Sequence, residues 1–409
     1  MDKNDKNIKG FKPGPFEYHQ EIELRIHDLT NLGVGVGRID NFVVMVPFAL
    51  PGELVRASVF RNHKNYSEAD LVEVLEASAD RIEPFCPLFG TCGGCQYQHL
   101  NYPAQLVWKR KQIKDLMLRI GGLDVEVEPT HPSPKQAGYR SKLTPHFQKP
   151  RDGGEMPIGF IMNGRRSSIV DVPHCPIASD AINAHLPEAR KKVRENIASF
   201  KHGGTLMLRD TGREIICDNR KIATEKVGEL NLKFVAGEFF QNNPFILPEL
   251  LDYAVTEAKG PKYLVDAYCG VGGFALWAAP HFERVLGVEI SELSIRCARE
   301  NAKLNGVKNC EFISGKAESI FKGIPFKGAD TSVIIDPPRS GSDEIFLKQL
   351  TDFAPAKIVY VSCGPDTQAR DLKYLCANGY KILKVQPFDM FPQTRHIENI
   401  TVLANAFGA

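Results

Sequence analysis

The sequence predicts an α/β protein in which an open, doubly wound parallel sheet follows a small β-barrel and a central α+β region. Three observations carry that expectation. From Leu264 onward, short β-branched runs alternate with helical ones, as in YLVDAYCGVGGFALWAA and RVLGVEI, the pattern of βαβ units. Residues 15–77 hold closely spaced strand-like runs separated by Gly-rich turns, which fits an OB-like barrel. Between them, PFCPLFGTCGGCQYQ places Cys86, Cys92 and Cys95 in a Gly- and Pro-rich loop.

At 409 residues the chain exceeds one ordinary core. The expected division is a disordered tail at 1–14, the barrel at 15–77, a central RNA-binding domain with the cysteine loop at 78–236, and the α/β domain at 237–409. A helix at 102–120, with Leu106, Ile113, Leu116 and Met117 as its apolar positions, is expected to pack on the α/β domain. No apolar run approaches ~18 residues and the first residues are charged, so no membrane partner and a cytoplasmic location are expected. A net charge of +2 does not announce a nucleic-acid binder. The cluster Lys109, Arg110, Lys111 and Lys114 reads equally as a local basic patch or as a solvated helix face.

Ten cysteines in a reducing compartment argue against a disulfide framework. The C-x5-C-x2-C loop needs a fourth thiol to close a metal cage, and Cys175 in VPHCPI has similar proline punctuation. Such a thiolate set suits an iron-sulfur cluster or zinc, and spacing does not choose between them. Four unrelated thiols is the alternative.

In the α/β half, the first strand ends at Asp266 and is followed by a turn with Gly270, Gly272 and Gly273, then a helix from Phe274. Glu289 ends the next strand about twenty residues later, where an acid can hold ribose hydroxyls. The G-x-G-x-x-G spacing of a dinucleotide site is absent; G-x-G-G is the compact form associated with S-adenosylmethionine. Read alone, the turn also fits a strand-to-helix link without a ligand. Asp336 ends a further buried strand in SVIIDPPRSG, and Pro337 and Pro338 stiffen the turn after it.

Cys363 ends the strand 357–362 in VSCGPDTQARDL, and Asp366 is expected to cap the helix beginning at Thr367. Strand carboxyl ends in open α/β sheets are where ligands bind. A thiol there is presented to a cleft, although a strand-end Cys taken alone is more often structural.

The ordered set GEFFQNNP with Gln241, YCGVGGF, Glu289, DPPRSG, VSCGPDTQARDL and FPQTRHIEN resembles the RNA uracil-5-methyltransferase family, from about Phe16 to Leu403. The resemblance implies a Rossmann-like class I methyltransferase domain, an N-terminal TRAM barrel and S-adenosylmethionine held by Gln241, Tyr268, Gly273, Glu289 and Asp336. It implies Cys363 as nucleophile and Glu398 as general base. Cys86, Cys92, Cys95 and Cys175 fall where cluster-bearing members hold a 4Fe-4S cluster, with zinc the lesser alternative. Gly364 stands where the family often has Asn.

The implied reaction is transfer of a methyl group to carbon 5 of a uridine in structured RNA, with a Cys363 adduct at carbon 6. The expected partner is 23S ribosomal RNA and the expected state a monomer. The alternatives are a transfer-RNA uridine-54 methyltransferase, a base-amine methyltransferase, and an RNA-binding protein without this chemistry. Arg339 stands after the second Pro of DPP, where amine methyltransferases usually carry an aromatic.

Overall fold

The computed structural model describes residues 11–12, 14–149, 156–315, 320–321 and 323–406. Most of the expected tail, 1–14, lies outside them. The chain divides into two compact units, Met1–Gln112 with Gln393–Arg395, and Ile113–Pro392 with His396–Ala409.

In the first unit, β1 (Glu21–Leu29), β2 (Val34–Ile39), β3 (Phe42–Pro47), β4 (Leu54–Asn62) and β5 (Tyr66–Glu76) form a closed barrel in the order β1-β2-β3-β5-β4. Alternation builds it: Ile22, Leu24 and Ile26 of β1 face inward with Val44, Val46, Val55, Ala57 and Val59. Asp40 and Asn41, both with positive φ, make the β2–β3 hairpin turn. The barrel closes because β1 pairs with both β2 and β4, leaving neither sheet edge open.

The helix α1 (Tyr102–Leu116) is capped by Asn101, whose Oδ1 accepts the Ala104 N–H at 2.9 Å. It ends in a π turn, Met117–Gly121, and Gly122 closes it with a left-handed backbone. Neither reading of the basic cluster holds throughout. Lys109 is fully buried, and Lys111 donates to both carboxylate oxygens of Asp28 at 2.9 and 3.0 Å within the first unit.

The second unit opens with short antiparallel strands: β6 (Lys142–Leu143), β7 (His146–Gln148), β8 (Ile158–Met162) and β9 (Arg165–Asp171). After α2 (Asp180–Glu195) come β10 (Gly203–Thr205), β11 (Leu208–Asp210), β12 (Ile215–Ile216), β13 (Ile222–Val227) and β14 (Leu230–Val235). The hairpin expected in IGFIMNGRRSSIVDV is the antiparallel pair β8–β9.

The α/β portion runs α3 (Leu247–Ala258), β15 (Tyr263–Ala267), α4 (Gly273–Ala278), β16 (Arg284–Glu289), α5 (Glu292–Leu304), β17 (Cys310–Ser314), β18 (Thr331–Ile335), α6 (Glu344–Phe353), β19 (Lys357–Ser362), α7 (Pro365–Ala377), β20 (Tyr380–Phe388) and β21 (Glu398–Asn405). Its strands form one seven-stranded sheet, β17-β16-β15-β18-β19-β21-β20. Pairings from β15 to β19 are parallel, and β21 runs antiparallel to both neighbours.

Period-two alternation sorts its residues into two cores. Leu264, Ile334, Val359 and Val361 join α3, α4 and α5 on one face, whereas Val265, Val333, Ile335, Ile358 and Tyr360 join α6 and α7 on the other. Ile113 and Met117, from the end of α1 and its π turn, belong to the second core. Gly121 packs so closely that an added Cβ would stand 3.1 Å from the Ala369 carbonyl of α7. Within the second unit, the helix end from Ile113 to Gly121 thus packs against the α/β portion.

Candidate active site

Parallel strands β15, β18 and β19 bring their carboxyl ends to one edge of the sheet, and β21 enters that edge from the opposite direction. The pairing Ser362 to Asn399 fixes the register. Continued by one residue, that register leads from Cys363 to Glu398, and the two are close enough for the Glu398 charge to act on the thiol. Two residues far apart in sequence thus become neighbours by strand order alone. Behind them the register is locked by buried amides: Asn399 Nδ2 donates to Gln368 Oε1 at 2.7 Å, and Gln368 Nε2 donates to the Tyr360 and Asn399 carbonyls.

Asp336 follows β18 and adds a second acid beside this pair. Burial pushes its carboxyl up to about 7. Glu398 is 4% exposed, and burial followed by the charge of Asp336 holds its carboxyl well above the ordinary range, against an opposing pull from Arg339. Cys363 is half-buried; burial, Glu398 and Asp336 push its thiol up to about 11. Arg339 acts the other way, by its charge and by a hydrogen bond to the thiol. Its Nη2 also lies 3.3 Å from His396 Nδ1.

Sequence reasoning assigned Arg339 no role at the site. The signal was its place in DPPR, and its partners are remote in the chain. Gly364 has a local cause: an added Cβ would meet the Arg339 carbonyl at 2.8 Å and Thr367 Oγ1 at 2.9 Å. The residue after Cys363 is small because the Arg339 backbone lies against it. The helix α7 starts at Pro365, with Gly364 as its cap position and no side-chain cap. Asp366 therefore does not cap it, because Pro365 already takes the first helical position, where its missing N–H costs nothing.

At the neighbouring turn, Tyr268 and Gly270 carry positive φ, and Gly272 precedes α4. Space beyond the Cα of Gly270 and of Gly273 is open to 4 Å. Gly272 is required by packing instead, since a Cβ there would meet the Phe312 ring at 2.9 Å. Glu289 receives the Gly270 N–H at 3.2 Å and the Ser291 N–H at 2.8 Å. Asp266 was read only as the end of its strand. It is fully buried, accepts the Ala275 N–H at 2.9 Å through Oδ2, and leaves Oδ1 without a partner among the described residues. Burial raises its carboxyl far above the usual range, and the charges of Asp336 and Glu289 add to that.

Three acids facing one glycine turn are mutually unfavourable when ionised, and a cationic ligand relieves that repulsion. An unsatisfied buried acceptor and open space over two glycines fit a ligand with a positive centre and a ribose. S-adenosylmethionine, a sulfonium, has both. Gln241 is fixed from another direction. Arg209, fully buried on β11, donates from Nη1 to the Gln241 carbonyl at 3.3 Å and from Nη2 to the Phe240 carbonyl at 3.5 Å. Its guanidinium lies 5.1 Å from the centre of the Phe234 ring, which stacks on Phe240. Phe239, two residues before Gln241, is 76% exposed.

The family pattern of the tRNA (uracil-5-)-methyltransferases matches residues 182–406, and that of the TRAM domain matches 16–72. A Schizosaccharomyces pombe protein named tRNA (uracil(54)-C(5))-methyltransferase is 42% identical over 95% of this chain and 79% of its own length. The chain belongs to the RNA uracil-5-methyltransferase family. A Saccharomyces cerevisiae member of the same name is 35% identical over 97% of this methyltransferase and 76% of its own length. The Pyrococcus abyssi tRNA (uracil-54, C5)-methyltransferase, solved with S-adenosyl-L-homocysteine, superposes with a TM-score of 0.71 at 26% identity, covering 94% of this chain and all of that one. The five-stranded barrel is the TRAM domain of this methyltransferase.

Among the described residues no group of three or more His, Cys, Asp or Glu side chains is arranged to hold a metal ion. Cys86, Cys92 and Cys95 lie in a loop of the first unit, where burial raises the Cys92 thiol and the nearby Cys86 adds to it. Cys175 belongs to the second unit, its backbone N–H and carbonyl both bonded to the Asn183 side chain. Of the four thiols expected to bind a 4Fe-4S cluster or zinc, three thus lie in the first unit and one in the second.

Proposed function

We propose that the protein methylates carbon 5 of a transfer-RNA uridine, at the position equivalent to uracil 54 of its relatives' substrates, with S-adenosylmethionine as methyl donor. The observation that carries this reading is that Cys363, Glu398 and Asp336 gather where β19 and β21 meet, close enough for both acids to act on the thiol, at the edge where β15 ends in the glycine turn. The relatives and the solved neighbour whose names specify uracil 54 support transfer RNA over the 23S ribosomal RNA that the sequence alone favoured.

Carbon 5 of uracil is too weak a nucleophile to attack a sulfonium methyl unaided. The Cys363 thiolate adds to carbon 6, forming a C–S bond and pushing electrons into an enolate whose carbon 5 takes the methyl group. S-adenosylmethionine, when bound, supplies that methyl and leaves as the neutral thioether. Glu398, as carboxylate, then removes the proton from carbon 5, the C–S bond breaks, and thiolate and methylated uracil are released. Burial and the charge of Asp336 raise the Glu398 carboxyl, which makes its carboxylate a stronger base for that proton. Arg339 supplies positive charge where the thiolate forms. Reaching carbon 6 requires an unstacked base, and an exposed aromatic such as Phe239 offers a stacking surface for a nucleotide beside it.

Methyl transfer from labelled S-adenosylmethionine to unmodified transfer and ribosomal RNA transcripts tests the reading. Product mapping should place 5-methyluridine in the transfer RNA, and Cys363→Ala should abolish it. In Glu398→Gln the turnover rate should fall ~10²–10⁴-fold, while a protein–RNA adduct that survives denaturing electrophoresis accumulates, because the methylated intermediate keeps its carbon 5 proton. Label on another base, or full activity in Cys363→Ala, would overturn the mechanism.

A further inference from the structure

Apart from the sheet edge, the second unit holds an open cleft of about 500 Å³ whose walls come from the central strands, the segment leading to Gln241 and the start of α5. Lys142, Thr144, Asn219, Arg220, Glu238 and Leu293 line it, over an apolar floor that includes Met207 and Val235. Its volume lies within the ~300–1,000 Å³ usual for small-molecule sites, room for one nucleotide.

The polar lining carries an excess of positive charge. Lys142 Nζ donates to the Gly237 carbonyl at 3.0 Å and the Glu238 carbonyl at 3.2 Å, which uses two of its three hydrogens. Burial, then the charges of Arg209 and Arg140, pull its ammonium down, with Glu238 opposing. Arg220, with its side chain 89% exposed, has Asp218 3.6 Å away, a separation that leaves most of its donors to solvent. An anion in the cleft would relieve this crowding of cations, and Thr144, Thr205 and Asn219 offer neutral hydrogen-bonding groups beside it. Glu238 leads directly into the exposed Phe239, so a strand leaving the cleft along this segment arrives next to Gln241.

We propose that this cleft seats one nucleotide of the RNA substrate other than the target uridine, its phosphate held by Lys142 and Arg220 and its base or ribose resting on the Met207, Val235 and Leu293 surface. The proposal rests on the RNA-methylating reading above. Its physical content is a phosphate contact that positions the strand without reading its sequence.

The test uses the full chain with an unmodified transfer-RNA transcript and compares Arg220→Glu, Thr144→Ala and Lys142→Gln with the parent. Arg220→Glu should raise KM for RNA about tenfold and lower the slope of log affinity against log salt by about one, with KM for S-adenosylmethionine unchanged. Thr144→Ala should raise KM for RNA without changing the salt slope, since it removes no charge. Lys142→Gln, which also loosens the Gly237 and Glu238 carbonyls, should move both RNA parameters in the direction of Arg220→Glu. An unchanged KM for RNA and salt slope in all three variants would overturn the proposal, as would a loss confined to S-adenosylmethionine affinity. If the parent protein transfers no methyl group to any uridine, the functional reading fails instead.

Discussion

Cys363 illustrates how a single position carries opposing demands. Conjugate addition needs a thiolate, yet burial and two neighbouring acids push the thiol to about 11, and only the Arg339 guanidinium pulls in the useful direction among the causes acting on it. Removing that charge raises the thiol further. Arg339→Ala should therefore shift the rising limb of the kcat/KM against pH profile to higher pH, and the rate of Cys363 alkylation should move with it. A profile that falls in height but keeps its position would show that Arg339 holds substrate rather than tuning the thiol. Cys363 and Glu398, the proposed nucleophile and base, stood in legible motifs. The cation between them was not legible, because its contact with His396 spans 57 residues and no local pattern announces it. Gly364 was legible only as a departure from its family; the reason, a backbone carbonyl 2.8 Å from where its Cβ would stand, exists only after folding.

At the scale of elements, the segment after Pro338 is tied to α7 by a buried acid. Asp371 Oδ2 accepts the Tyr360 hydroxyl at 2.7 Å and the Ser342 N–H at 2.8 Å, and its Oδ1 takes Arg370 Nε at 2.8 Å. Arg370 in turn donates to the Ser340 and Ser342 carbonyls. Asp371→Ala strands a hydroxyl and an N–H in the interior and should cost ~3 kcal/mol in urea unfolding. Its activity should fall as well, since the tied segment carries Arg339. Retention of parent stability would mean that water replaces the carboxylate. The alternation of strands and helices gave away this half of the molecule, because parallel strands buried on both faces read as short β-branched runs. The antiparallel insertion of β21 between β19 and β20 left no such trace; it sets the partner of Cys363, and hydrophobic period alone does not specify neighbours. Buried cations were equally invisible. Lys109 read in sequence as part of a basic patch or a solvated helix face, Arg209 carried no signal at all, and both are fully buried.

At the scale of the whole molecule, the three residues Gln393–Arg395 belong to the first unit although the whole run Ile113–Pro392 of the second unit separates them from the rest of it. The Gln96 and Tyr97 N–H groups both donate to the Gln393 carbonyl at 3.0 Å. Gln105 exchanges side-chain bonds with the same residue, and the Arg395 N–H reaches Gln96 Oε1. Each such bond contributes ~1 kcal/mol net, and a buried group left without it costs more. A fragment of residues 1–112 should accordingly keep a folded barrel but show fast amide exchange and early proteolysis between Cys86 and Gln105. Adding a peptide of residues 391–397 should slow both. Equal protection in fragment and full chain would remove the tie from the account. The same arrangement orders events during synthesis: the barrel can close once Glu76 has left the ribosome, whereas the cysteine loop waits for some three hundred further residues before its last partners exist, and the strand that begins with Glu398 follows them within three positions.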